Sequence, residues 1–478
     1  MKLFAYTQQH PEALLAVTDS GEPLRYSDIP AIAEQHFQRL GHNLLFLLCK
    51  NDAGSLLAYL GALYSDMVPL LLDAGLQLPL LRALLEAYRP PYCLLPEERL
   101  GELHALLPEN HSVLSSIHGS VLVDTGWEGP ELHSKLKLLL TTSGSTGSPK
   151  LVRLSLENLE ANAESIAAYL KLNEQERPIT MLPMFYSYGM SVINSHIACG
   201  AAVLLTAHTV MERAFWERAV EATSFAGVPY TYEMLDRLRL TKMDLPRLKT
   251  LTQAGGRLPE ALQQKLGKWC EETGRRFFVM YGQTEASPRI SYLPCELVTQ
   301  KPGSIGRAIP GGQLDIVNEV GNPIVEAFQS GRLIYHGKNV SLGYASCPAD
   351  LCKGDDNLGI LNTGDIAYAD TDGMYYIVGR EKRFLKLRGI RYSLDTLEQR
   401  LHQDFPGTAF ACTGTDDALC LFLTEQDAPQ LRGIKDRLID VYGIPEHFIR
   451  LFPLSRLPLT ATGKTDYSTL ETLAAQSA

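Results

Sequence analysis

The chain has 478 residues, 45% hydrophobic and 21% charged, enough for two or three domains with a sizeable core and unlike the composition of a disordered chain. Its 44 Lys and Arg against 54 Asp and Glu leave a formal charge of −10, which argues against nonspecific attraction to nucleic acid or an anionic membrane.

In chain order, the amino terminus MKLFAYTQQHPEALLAV lacks the cationic segment, apolar core and cleavage site of a secretory signal, so a cytoplasmic protein is expected. The most apolar stretch, around residues 55–88, is broken by Asp66, Pro69, Asp73 and Pro79 and holds no run long enough for a membrane span. Apolar runs (NLLFLLC, MVPLLL, PYCLL, SVLVD, LKLLL, PITMLP, AAVLL, RFFVMY) read as strands. Between them, stretches such as LENLEANAESIAAYLKL and PEALQQKLGKWCEETG read as amphipathic helices. The alternation predicts an α/β fold with layered, largely parallel sheets. From 303 to 345 the texture changes to short pieces punctuated by Gly, Asn and Pro, which predict a small sheet or β-barrel-like region.

After Arg380 the charge density jumps, and about ninety residues with alternating helix-like and strand-like segments predict a separate small α+β domain. The expected boundaries are 1–380 and 381–478. Nine scattered cysteines, without a paired CxxC arrangement, read as reduced thiols, the spacing of Cys347 and Cys352 included.

LLLTTSGSTGSPK, residues 138–150, runs from a strand into a loop of glycines and hydroxyl residues ending in Lys150. Backbone N–H groups in such a loop can converge on an anion, and the lysine adds a mobile charge. Two residues separate Gly144 from Gly147, and a serine and a proline precede the lysine, so the nucleoside triphosphatase pattern is excluded. Taken alone, such a loop is more often an ordinary connection. Four further segments accompany it: TQAGGRLP (252–259), MYGQTEASP (280–288), NTGD (362–365) with VGREKRFLKLRG (378–389), and PLTATGKTDY (458–467).

Together these five ordered motifs resemble the adenylate-forming superfamily of acyl-CoA synthetases, acyl-carrier-protein ligases, adenylation domains and luciferases, and the resemblance spans nearly the whole chain. It implies that Thr142, Ser143, Gly144, Ser145, Thr146, Gly147 and Lys150 hold the β- and γ-phosphates of ATP. It places Gly255, Gly256 and Arg257 on the adenine side, Tyr281 and Gly282 against the base, and Thr284 at the α-phosphate. Glu285 becomes the ligand of Mg²⁺, a hard cation suited to one or two carboxylates. Asp365 and Arg380 are implied at the ribose, Lys464 as the catalytic lysine on a mobile lid domain, and Lys382 as the hinge, where many relatives have Asp and some have Lys.

The implied reaction is activation of a carboxylic acid as acyl-AMP with release of pyrophosphate, then transfer to a thiol. Coenzyme A and a stand-alone phosphopantetheinyl carrier protein both remain open as acceptor, expected to act in trans because no carrier attachment motif follows Lys464. Tyr186, in LPMFYSYGMS, stands where acyl-CoA synthetases commonly carry His and amino-acid adenylation domains carry Asp. Without that Asp, a non-amino or distally substituted acid is expected. Leu156, often His in relatives, is read as helix packing. Tyr186, Tyr188, Gly189, Val228, Pro229, Tyr232 and Arg289 are candidate pocket walls. For the tyrosines core packing is the competing reading, and for Arg289 it is a surface or interdomain cation rather than a contact to a carboxylate or sugar substituent. The alternatives are a noncatalytic nucleotide-binding regulator with the same fold, an α-amino-acid adenylation enzyme, and luciferase-like oxidation after adenylation.

Overall fold

The computed structural model describes residues 2–141, 150–381, 383–387, 390–415, 418–460 and 465–476. They pack as two compact units, one drawn from Met1–Thr142, Ser148–Gln313 and Tyr335–Leu361, the other from Leu314–Ile334 and Asn362–Ala478.

In the first unit, the strands Leu136–Thr141, Val68–Asp73, Leu44–Cys49 and Tyr92–Pro96 lie side by side in parallel, buried on both faces, which is why each reads as a near-continuous apolar run. Toward the edges the pairing turns antiparallel: Ser120–Asp124 and Ser112–Ile117 on one side, Leu151–Ser155 and Gly343–Ala345 on the other. The helix Ala53–Tyr64, capped by Asp52 accepting from the Ser55 N–H, is apolar nearly all round and enclosed in the core.

A second sheet follows the order Ser224–Gly227, Thr250–Gln253, Arg276–Gly282, Arg289–Leu293, Arg307–Ala308, parallel through the first three and antiparallel after them. The helix Leu156–Leu170 begins with a capping box in which Ser155 and Asn158 exchange side-chain and backbone hydrogen bonds, so the cap is Ser155 and Leu156 is the first helical residue. The PITMLP run is not a strand. Only Pro178 and Ile179 form isolated bridges, because its two prolines lack the N–H a ladder requires.

Most residues of the sheet Gly312–Val317, Gly331–Gly337, Ile360–Ala369, Tyr375–Arg380 belong to the second unit. The same unit holds an α+β layer. Phe410–Thr415, Ala418–Thr424 and Ile449–Leu454 form its sheet, and Leu394–Asp404 and Leu431–Asp440 add Leu397, Leu401, Ile434 and Leu438 to one core with Leu419, Leu421 and Leu423. All nine cysteines are free thiols. Among the described residues no group of three or more His, Cys, Asp or Glu could hold a metal, and no helix is long and apolar enough to cross a membrane.

Candidate functional site

The strand Arg276–Gly282 ends in a turn that carries Thr284 and Glu285 and returns as Arg289–Leu293. Gly282 has no substitute here, since a Cβ would lie 2.0 Å from the Pro288 carbonyl oxygen. The turn takes its shape from a distant segment. Asn339 Nδ2 donates to the carbonyls of Ala286 (2.6 Å) and Arg289 (2.7 Å), Ser287 Oγ donates to the Asn339 carbonyl (2.8 Å), and the Ser341 N–H reaches the Glu285 carbonyl (2.8 Å). These bonds satisfy backbone groups that a tight turn would otherwise leave unpaired.

On this turn, the Glu285 carboxylate accepts a 2.5 Å hydrogen bond from the Tyr344 hydroxyl, and the Lys150 ammonium lies 5.5 Å from the centre of the same ring. Burial, and then the Glu285 charge, push the Tyr344 hydroxyl pKa up, so it remains a donor. Thr284 Oγ1 lies 3.2 Å from Ser187 Oγ at the start of the helix Ser187–Ala198, and Gln283 Nε2 donates to the Tyr281 hydroxyl at 3.1 Å. Lys150 thus converges on the distant pair Thr284 and Glu285, joined by Tyr344 and Ser187, which sequence reasoning missed. Tyr344 lies 59 residues beyond Glu285, and nothing local marked it.

Gly255 has φ +87°, a conformation that only glycine adopts without strain, and Gln253 Nε2 donates to the Gly256 carbonyl at 2.8 Å. Pro229 lies 3.1 Å from where a Gly256 Cβ would be, so this turn presents bare backbone. Arg257 is exposed and donates to Glu260 at 2.9 Å. In the second unit Asp365 is 4% exposed, opposite Arg380 in strand register, with the Arg380 Nε 3.6 Å from its carboxylate. Thr142, Ser143, Gly144, Ser145, Thr146, Gly147, Lys382 and Lys464 lie outside the described residues.

Of the pocket candidates, Tyr188 is buried and donates into Thr252, while Tyr186 is half-buried and meets Tyr188 edge-on at 6.4 Å between ring centres. Burial pushes the Tyr186 hydroxyl pKa up to about 12. Gly189 is required by packing, because a Cβ would lie 2.2 Å from the Pro183 carbonyl oxygen. Val228 is buried and precedes the helix Pro229–Arg237; the Tyr232 hydroxyl donates to the Thr252 carbonyl at 2.9 Å. Arg289 is not a surface cation: it is 2% exposed, its guanidinium 4.6 Å from the centre of the Tyr188 ring.

The donor set fits a magnesium nucleotide. In the first unit, Glu285 offers a hard oxygen beside a lysine, and the Gly255–Gly256 turn leaves room for a flat base. A family model described as AMP-binding enzyme matches residues 35–345.

The chain belongs to the AMP-binding enzyme family.

Within it, the enzyme is 30% identical to the oxalate–CoA ligase of Arabidopsis thaliana over 372 residues, covering 74% of this chain and 70% of that protein. The o-succinylbenzoate CoA synthetase (MenE) of Bacillus subtilis, solved with its acyl-adenylate intermediate, superposes with a TM-score of 0.79 at 21% identity, covering 98% of this chain and 97% of that one. The same synthetase solved with ATP and magnesium ion gives 0.77 at 20% identity, covering 98% and 99%. The enzyme is therefore an adenylate-forming, AMP-producing acid–thiol ligase of the acyl-CoA synthetase type. The regulator and amino-acid readings are not favoured.

Proposed function

We propose that this enzyme uses ATP and Mg²⁺ to activate a non-amino carboxylic acid and passes the acyl group to coenzyme A. The observation that carries this reading is the convergence of Lys150, Tyr344 and Glu285 beside Thr284. A magnesium ion at Glu285 would neutralise phosphate charge. Lys150, with the loop Thr142–Gly147, holds the leaving pyrophosphate; Tyr344 fixes the Glu285 carboxylate; Thr284, oriented by Ser187, donates to the α-phosphate where charge develops. Asp365 and Arg380 hold the ribose, and Tyr281 with Gly255, Gly256 and Arg257 the adenine. Residues 381–478 act as a mobile domain hinged at Lys382, which brings Lys464 to the first step and the 386–392 segment to the second. Tyr186 in place of an acid leaves an α-ammonium group without a counter-ion, which supports a non-amino substrate.

ATP–pyrophosphate exchange over fatty, aryl, hydroxy and amino acids, followed by thioester formation with coenzyme A or with carrier proteins, tests the reading. Exchange with a non-amino acid and a coenzyme A thioester are expected. Lys464→Ala should slow adenylate formation by about 100-fold or more, and adenylation at full rate in that variant would remove the role given to Lys464.

A further inference from the structure

Arg289 stands opposite Gly282 in the strand register, so its backbone lies about 5 Å from the motif that carries Thr284 and Glu285. Its side chain is sealed from water, yet poorly provided for. Nη2 reaches Ser191 Oγ at 3.5 Å and the Tyr169 phenol interacts with the guanidinium, but Nε has no partner, and among the described residues no carboxylate pairs with it. The groups around the guanidinium are phenols. Tyr169 and Tyr186 have hydroxyls raised to about 12 by burial, and Tyr188 is raised further, so none supplies a negative charge at neutral pH. His196, whose Nε2 is also unpartnered, is held neutral by burial.

Arg289, Tyr188, Ser191 and His196 share with apolar neighbours such as Leu170 and Met280 the lining of a cavity of about 20 Å³. Its wall is mostly apolar, and no carboxylate lines it. The space suits a single oxygen-sized group, so it would receive the tip of a ligand and not a whole acid. A buried cation without a counter-charge is costly in the fold and gains most from an anionic ligand.

We propose that Arg289 is a specificity-determining residue that receives a second carboxylate, so that the acid activated by this enzyme is a dicarboxylic acid. The proposal rests on the acid–thiol ligase reading above and names its substrate class. One carboxylate goes to the α-phosphorus beside Thr284; the other presents an oxygen to Arg289, with Tyr186 and Tyr188 along the spacer. The two relatives described above are named for oxalate and o-succinylbenzoate, both of which carry two carboxylates.

The test is ATP–pyrophosphate exchange by the full-length enzyme with diacids from oxalic to sebacic, phthalic acid and o-succinylbenzoic acid. Each is compared with its monomethyl ester and with a monoacid of equal length. In the wild type the best diacid should exceed its half-ester in kcat/KM by about 100-fold or more, since the ester leaves the buried guanidinium unpaired. Arg289→Met should bring the two within about threefold, and Arg289→Lys should retain part of the preference. Should Arg289→Met fail to fold, the wild-type ratio decides. A half-ester or monoacid used as well as every diacid overturns the assignment and leaves the ligase reading standing. Absence of exchange with every acid of the wider panel would overturn the ligase reading itself, and this one with it.

Discussion

Arg153 and Arg289 are both enclosed in the first unit, at 0% and 2% exposure, and their surroundings are opposite. Arg153 gives its N–H groups to the carbonyls of Tyr344 (3.2 Å), Lys353 (2.5 Å), Gly354 (3.0 Å) and Leu342 (2.8 Å) and to the Asp356 carboxylate (2.5 Å). It fastens the 342–356 segment to the Leu151–Ser155 strand, and its charge is answered within the fold. Arg289 has an aromatic face, only the hydroxyls of Ser191 and Tyr169 as partners, and an unpaired Nε. The contrast separates two uses of a buried guanidinium: one is a saturated fastener, the other keeps bonding capacity in reserve.

The largest expected effect tests that separation through stability. Arg153→Met should cost about 3 kcal/mol or more in urea unfolding, because it leaves several backbone carbonyls without their donors at once. Arg289→Met should change stability by less than about 1 kcal/mol, or raise it, since it removes an unpaired buried charge. Equal losses would erase the contrast. Next in size, Tyr344→Phe should slow adenylate formation about tenfold by freeing the Glu285 carboxylate, with unfolding little changed, because the backbone bond from Arg153 to the Tyr344 carbonyl remains.

The smallest effect concerns His196, which shares the cavity with Arg289. Burial lowers its pKa in the folded protein, so below pH about 6.5 the unfolded chain takes up a proton that the folded chain still refuses. Stability should therefore fall as the pH drops below that value, with His36 and His402 contributing in the same direction. His196→Asn should flatten the slope between pH 6.5 and 5.5 by up to about 1.4 kcal/mol per pH unit. An unchanged slope would mean that the imidazole beside Arg289 is not held neutral.

Much of the fold was legible because buried parallel strands leave near-continuous apolar runs such as NLLFLLC and LKLLL, bounded by turn residues. The edges were not. Ser112–Ile117 is half serine and mostly exposed, and the Leu151–Ser155 strand carries Arg153, whose acceptors lie about 200 residues away. Glu285 and Thr284 stood out in a motif, whereas Tyr344 and Ser187 reach them only through tertiary packing. Arg289 was named as a candidate pocket wall, and burial removes its competing reading as a surface cation. A charged side chain in a short motif reads as solvated, and only the closure of the Ser187–Ala198 helix over it reveals burial.

The clamp of Asn339 and Ser341 on the 284–289 turn bears on how such enzymes can be recombined. The reactive turn and the stretch from Asn339 to Tyr344 form one cassette split across the sequence. Transplanting residues 281–289 into a relative would move the carboxylate without the frame that aims it. A chimera should inherit both stretches from the same parent.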